Sequence, residues 1–457
     1  VLPIASQPDP VDTHGDGIIK PIDSFHGMII PSILGLQTAF SMSTEEVLIH
    51  LFSQIALILA ASKCVGAVFV RFGQSRSVGE ILTGVMLGPS LFGWLFPAAF
   101  ATVFNPGGPS ILPWFSHIGL ILTLFLIGME FDFKTVLPHT SKLISVAFGS
   151  LLAPLLLAFA IAPWLWSILP GSGSYLAYAL FLGMTMAITA IPIMGRILME
   201  LDLTRTRVGV LAIATGALKD LLTWFLLVIV IGIARPPFDP LRVLKMMAAT
   251  ALLAAFCLTL GRQAIAAFQR RWGWQGEQPS GAMIGFLLIF LLLMSAATAW
   301  IGIFAIFGAF MAGVTLSSDR RLSLAVSDRL HDLTIHLFLP IFFTYTGLRC
   351  DLSSLQGSLW LAMLAVTVIG SLGSGGIAWA FSKISRFSSA ESLAFGFLIN
   401  TPGLMVLILL NLGLDLDVIP KGLFSVLVGS AMIRNLLVTP VLRHTIARVL
   451  PPQPLAT

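Results

Sequence analysis

The chain has 457 residues, 57% of them hydrophobic and 10% charged, with a formal net charge of +5. Soluble domains carry about a quarter charged residues, so this composition excludes a water-soluble globular protein and specifies a polytopic membrane protein. The positive excess belongs to loops that orient the spans, so no nucleic-acid partner is inferred from it.

Taken in order, Val1 to about Asp23 is a polar lead with Pro, Asp and Gly. It starts without Met, which is consistent with a missing preceding segment. Met28–Phe40 is apolar but short and contains Pro31. It reads as an interfacial or re-entrant piece closing a lead over 1–46, with an extra span as the alternative. Thirteen spans then follow by length and polarity, at roughly 47–70, 78–99, 111–129, 143–168, 174–198, 208–234, 242–260, 281–299, 300–317, 335–349, 357–381, 391–413 and 422–442. Spans 8 and 9 are nearly continuous and require a tight turn near Trp300-Ile301-Gly302. A short tail, 447–457, closes the chain, with no nucleotide-binding regulatory domain expected after span 13. The fold class is all-α.

Lys and Arg favour the loops after odd-numbered spans and the C-terminus by roughly three to one. This places the N-terminus outside and the C-terminus in the cytoplasm, in a multi-pass cell (inner) membrane protein. The basic loop Arg235–Lys245 lies on the wrong side and is the weak point of that assignment. The cysteines are Cys64, Cys257 and Cys350, and only Cys350 falls near an outside loop, so no disulfide framework is expected. No zinc spacing, phosphate-binding Gly loop or nucleophile elbow occurs in a supporting setting. No cofactor is assigned, and the chain is not read as an enzyme.

Span 6 contains Gly216-Ala217-Leu218-Lys219-Asp220-Leu221-Leu222. An ionisable group at mid-membrane costs roughly 2.5–3.5 kcal/mol on insertion scales. Asp220 is the one carboxylate placed near that depth; the others flank spans or lie in loops. It is therefore expected to bind or relay something, against the blander reading of a Lys–Asp pair kept for helix packing. The two neighbours point about 100° apart on a helix and need not touch. Burial opposes either charge while their proximity favours both, and the sequence leaves that balance open. Lys219 is a second candidate proton carrier.

Two halves of the chain echo each other. Span 3 ends Gly128-Met129-Glu130-Phe131-Asp132, and span 10 ends Gly347-Leu348-Arg349-Cys350-Asp351. Span 5 holds Thr189-Ala190-Ile191-Pro192, and span 12 holds Asn400-Thr401-Pro402-Gly403. Span 6 holds Leu218-Lys219-Asp220-Leu221-Leu222, and span 13 holds Ile433-Arg434-Asn435-Leu436-Leu437. Partners seven spans apart run in opposite directions, which makes an inverted repeat. Pro192 and Pro402 interrupt their spans, because proline lacks an N–H and clashes with the preceding turn. A simple kink is the common outcome in a membrane helix. Matched positions in inverted halves instead predict two crossed, discontinuous helices with dipolar ends at mid-membrane. Freed carbonyls there and the side chains of Thr189, Asn400 and Thr401 are candidate ligands for a small ion, with Asp220 supplying formal charge. Arg434 is a supporting charge, bonded either to freed carbonyls or to Asp220.

From about His50 to Leu442 the chain resembles the second monovalent cation–proton antiporter family, particularly its plant cation/proton exchangers and bacterial sodium/proton relatives. The resemblance rests on Val78–Gly84 through Leu87-Gly88-Pro89-Ser90, Phe125–Phe133, Thr189–Leu198, Phe338–Phe343 continuing to Gly347-Leu348, and Asn400–Gly413. It implies a core of about 143–234 and 357–442 that holds the crossed helices. It also implies a dimerisation part of about 47–129 and 281–349, and a homodimer in the bilayer. By the same resemblance, the core carries the ion site across the membrane, and the position of Asp220 binds a monovalent cation, Na+ or K+, and a proton in competition. One carboxylate that either species can neutralise is enough to couple two opposed fluxes, and a single one fits electroneutral exchange.

Four positions depart from the family pattern. Lys219 stands where Asp, Asn or Gln is usual. The 357–381 span lacks Lys and Arg, with Ser371 or Ser374 near the place of a partner Lys. Pro402 follows Asn-Thr where Lys or Arg is frequent, and Arg434 is unusual. Either the base has moved to another helix, or the site no longer handles sodium in the usual way. Two other functions compete. Lys219, Arg434 and helix N-termini could serve an anion or organic acid at a net-positive centre, or the chain could be a non-transporting sensor derived from an antiporter.

Overall fold

The computed structural model describes residues 44–446 apart from 73, 75, 105–110, 131–139, 192–193, 196–197, 199–202, 204–205, 235–238, 273 and 276–277. The lead with Met28–Phe40, the tail and Pro192 lie outside the described residues.

The described chain is almost entirely helical. The principal helices are α1 (Thr44–Arg71), α2 (Arg76–Leu87), α3 (Leu112–Met129), α4 (Thr140–Ile168), α5 (Tyr175–Ala187), α6 (Arg207–Ala234), α7 (Pro240–Trp272) and α8 (Gly281–Ile301). They continue with α9 (Ala305–Leu316), α10 (Arg320–Leu333), α11 (Leu339–Leu348), α12 (Ser358–Ile384), α13 (Ser389–Ile399), α14 (Leu404–Asp415) and α15 (Lys421–Ile446). A two-stranded antiparallel hairpin, β1 (Trp274–Gln275) and β2 (Gln278–Pro279), follows α7.

Ten helical stretches among the described residues are long and apolar enough to cross a membrane, counting Ser389–Asp415 as one; α5 and α9 are shorter and also apolar. With α11, preceded by a π turn at Thr334–Phe338, each of the thirteen expected spans has a helical counterpart. Large apolar side chains such as Leu156, Leu292 and Leu364 are exposed, the arrangement of a surface that faces lipid rather than water.

Local chemistry sets the helix ends. Ser388 caps α13 through a capping box, its Oγ accepting from Glu391 N while Glu391 Oε2 accepts from Ser388 N at 2.8 Å. Asp319 and Ser280 cap α10 and α8 in the same sense. The tight turn between spans 8 and 9 is closed by Gly302 at φ 98°, a left-handed conformation that glycine adopts without strain.

Glycines bring some backbones into direct contact. A Cβ on Gly347 would lie 2.1 Å from the carbonyl carbon of Gly84, so α2 and α11 meet with nothing between them. Gly128 of α3 and Gly313 of α9 meet in the same way. A second set of helices, α4, α5, α12, α13 and α15, packs together around the interrupted segments. The far end of α14 is fastened to α11: Arg349 donates to Asn411 Oδ1 at 2.9 Å and pairs with Asp415 at 2.5 Å, and Asn411 Nδ2 donates to Thr346 Oγ1 at 2.7 Å.

Candidate functional site

The site begins with α6, an apolar helix that carries Lys219 and Asp220 side by side. Both are buried, at 0% and 4% exposure. Their roughly 100° angular offset sends them to different neighbours. The Lys219 ammonium donates to Ser374 Oγ at 2.8 Å, and Ser374 Oγ in turn donates to the Ile399 carbonyl at 3.3 Å. Ser374 sits in a π turn of α12, Leu372–Gly376, whose extra residue per turn shifts side-chain register; such turns are frequent at functional sites. The turn is glycine-rich, and a Cβ on Gly375 would lie 2.8 Å from the Gly396 carbonyl oxygen. Glycine there lets α12 approach α13 closely enough for Ser374 to reach the helix end.

Two helices are interrupted. α5 stops at Ala187, and Ile188 is extended at φ −61°, ψ 143°. α13 stops at Ile399, and α14 restarts at Leu404. Between them lies Pro402, which has no N–H to continue the ladder. The two breaks cross, with Ala190 N donating to the Thr401 carbonyl at 2.8 Å and Thr189 Oγ1 donating to the Ile399 carbonyl at 2.5 Å. Thr401 Oγ1 donates to Phe397 O at 3.1 Å.

Arg434, on α15, joins both breaks. It donates through Nη2 and Nε to Asn400 Oδ1 at 2.6 and 3.1 Å, and through Nη2 to the carbonyls of Met186 at 3.4 Å and Asn400 at 3.5 Å. These carbonyls belong to the C-terminal ends of α5 and α13, which carry partial negative charge. Of the two partners expected for Arg434, the structure therefore pairs it with the freed carbonyls and not with Asp220.

Asp220 makes no hydrogen bond or ion pair with any described residue. It lines a crevice of about 270 Å³, open mouth included, with Ile188, Thr223, Trp224, Met405, Ile408 and Leu409. The crevice thus lies between the break of α5 and the first turns of α14. Thr189, Asn400 and Thr401 surround the crossing, and their side-chain bonds go to backbone or to Arg434 rather than to Asp220. Glu80, one turn into α2, is the other buried carboxylate among the described residues.

Sequence reading did not single out Thr223 and Trp224. The available signal was spacing, because positions three and four residues after Asp220 share its helix face. Chemically, the arrangement is a carboxylate with free ligand capacity, beside broken backbone and two cations engaged elsewhere.

The transmembrane sodium/hydrogen exchanger family profile matches residues 55–446. The chain is 32% identical over 402 residues to a protein described as Na(+)/H(+) antiporter NhaS4 from Synechocystis sp., covering 87% of this chain and 97% of that protein. It is 30% identical to Cation/H(+) antiporter 17 from Arabidopsis thaliana and 25% identical to K(+)/H(+) antiporter 1 from Saccharomyces cerevisiae, spanning 48% of each. It therefore covers nearly all of the cyanobacterial relative and about half the length of the plant and yeast ones. The fold is similar to that of the sodium proton antiporter MjNhaP1 from Methanocaldococcus jannaschii, with a TM-score of 0.65 at 14% identity, over 88% of this chain and 99% of that one.

Proposed function

Because the chain belongs to the transmembrane sodium/hydrogen exchanger family, we propose that it exchanges a monovalent cation, Na+ or K+, for protons by alternating access at Asp220. One observation carries this reading: a 4% exposed carboxylate with no hydrogen-bond partner among the described residues lines a crevice beside two crossed helix breaks. Such a group is neutralised by a proton or by a cation and not well by both, so each species displaces the other. Lys219, Thr189, Asn400 and Thr401 complete the ion- and proton-handling site around it. Pro402 keeps its helix interrupted, and Arg434 supports the freed carbonyl ends. The helices spanning 143–234 and 357–442 form the moving core. The remaining early and late spans form the dimerisation part of a homodimer, in a cell membrane with the C-terminus in the cytoplasm.

The test is proton flux in proteoliposomes driven by a series of alkali cations, with wild type and Asp220→Asn side by side. Cation-dependent flux is expected in the wild type and absent from the variant. Unchanged flux in Asp220→Asn overturns the proposal.

A second reading follows from charge. Lys219 and Arg434 set two buried cations against Asp220, which favours a transported anion or organic acid. Flux that tracks an anion and disappears in Lys219→Ala would support it.

A further inference from the structure

Threonines buried in these helices have a common habit. Thr83 donates to Gly79 O, Thr123 to Gly119 O, Thr250 to Met246 O, Thr315 to Met311 O and Thr367 to Met363 O, each spending its hydroxyl on the carbonyl one turn back. Thr223 does not. Its hydroxyl is buried and bonds to no described residue, in a side chain only 6% exposed. Thr215 and Thr344 share that lack, but neither lines the crevice that Thr223 shares with Asp220. A buried hydroxyl left unpaired is unfavourable unless something else uses it. Here the adjacent group is a carboxylate that also lacks a partner among the described residues.

We propose that Thr223 Oγ1 is a direct ligand of the transported cation, holding it against the Asp220 carboxylate, and that the Trp224 ring is the wall that limits its size. The inference rests on the cation-exchange reading above and adds ligands to the same site. The chemistry fits: hard cations select carboxylate, carbonyl and hydroxyl-type oxygen. A hydroxyl three residues after a carboxylate on a helix presents its oxygen to the same space. Trp224, 4% exposed, lines the crevice and cannot swing freely. Its ring is stacked on Phe310 at 5.7 Å and tilted against Phe307 at 5.1 Å, both on α9. An aromatic ring held this way limits the cavity. On this view, a Thr that saves its hydroxyl and a Trp braced by a neighbouring helix are the local features that separate cations by size.

The experiment compares Thr223→Val, which keeps the shape and removes the oxygen, with Thr223→Ser, which restores it. Both are measured with wild type and Asp220→Asn for Na+- and K+-dependent proton flux in proteoliposomes. Thr223→Val is expected to raise the half-saturating cation concentration about tenfold, with the maximal rate within about twofold of wild type, because a lost ground-state ligand acts on KM. Thr223→Ser should return it to within about twofold of wild type. Binding is read independently by the rise in unfolding temperature of the purified protein on adding NaCl or KCl, against choline chloride as control. Wild type should show it and Thr223→Val should largely lose it. A wild-type half-saturating concentration in Thr223→Val, or equal impairment in Thr223→Ser, overturns the inference while leaving cation exchange standing, provided Asp220→Asn is dead. Flux that is insensitive to Asp220→Asn removes the exchange reading itself.

Discussion

The Lys219 ammonium donates to the Ser374 hydroxyl at 2.8 Å, joining α6 to the π turn of α12. The positive charge thus comes from the helix of the carboxylate but is delivered to the helix where the family resemblance places a lysine. Ser374 passes the contact on to the Ile399 carbonyl, at the C-terminal end of a broken helix. Lys219 thereby supports the break, while Asp220 is left to face the crevice.

Removing the hydroxyl should be felt as an orphaned buried cation. Ser374→Ala is expected to lower stability by about 2 kcal/mol, the range for a hydrogen bond to a charged group. Lys219→Met should recover part of that loss in the double variant, because no ammonium then needs an acceptor. Thermal unfolding of the four proteins in detergent gives the cycle. A coupling energy below about 0.3 kcal/mol, within the usual error of additivity, would show that the contact carries no weight.

Arg434 presents a planar fork to Asn400 and to the carbonyl ends of α5 and α13. A compact ammonium cannot reproduce that fork. Arg434→Gln is expected to cost about 3 kcal/mol, comparable to breaking a buried charged contact. Arg434→Lys should fall between that variant and wild type, and Asn400→Ala should be milder because the two carbonyl bonds survive. Equal unfolding temperatures for Arg434→Lys and wild type would refute the role of the fork.

The α2–α11 crossing makes a steric prediction. Gly347→Ala places a methyl group 2.1 Å from a backbone carbon of Gly84, where no side chain can yield. A loss of about 3 kcal/mol or more is expected, because the helices themselves must separate. Gly285→Ala, inside α8 with nothing within 4 Å of the added carbon, should be neutral or stabilising by about 0.5–1 kcal/mol. Similar unfolding temperatures for the two variants would contradict the close approach.

Much of the scaffold was legible along the chain. Apolar length located the spans, because a bilayer demands a fixed run of apolar residues whatever the neighbours are. Gly302 marked the turn between spans 8 and 9, since only a chain reversal fits so short a gap. Pro402 marked a break because its missing N–H is a property of one residue. The burial of Asp220 followed from its place in an apolar run. Thr223 was present but silent, because its distinction is a bond that it does not make.

The sequence by itself determined the class of protein, the helical segments that supply its expected spans, and the interrupted segments at Thr189 and Asn400. Each follows from local quantities: run length, proline chemistry and charge counted along one segment. Only the tertiary structure decided that Lys219 pairs with Ser374 and that Arg434 holds both helix ends. It alone set Asp220 without a described partner, beside Trp224 and facing the start of α14. These are distances between helices far apart in the chain, set by how closely glycines such as Gly375 let backbones approach. A helical period fixes the direction in which a side chain leaves its own axis, and not what waits there.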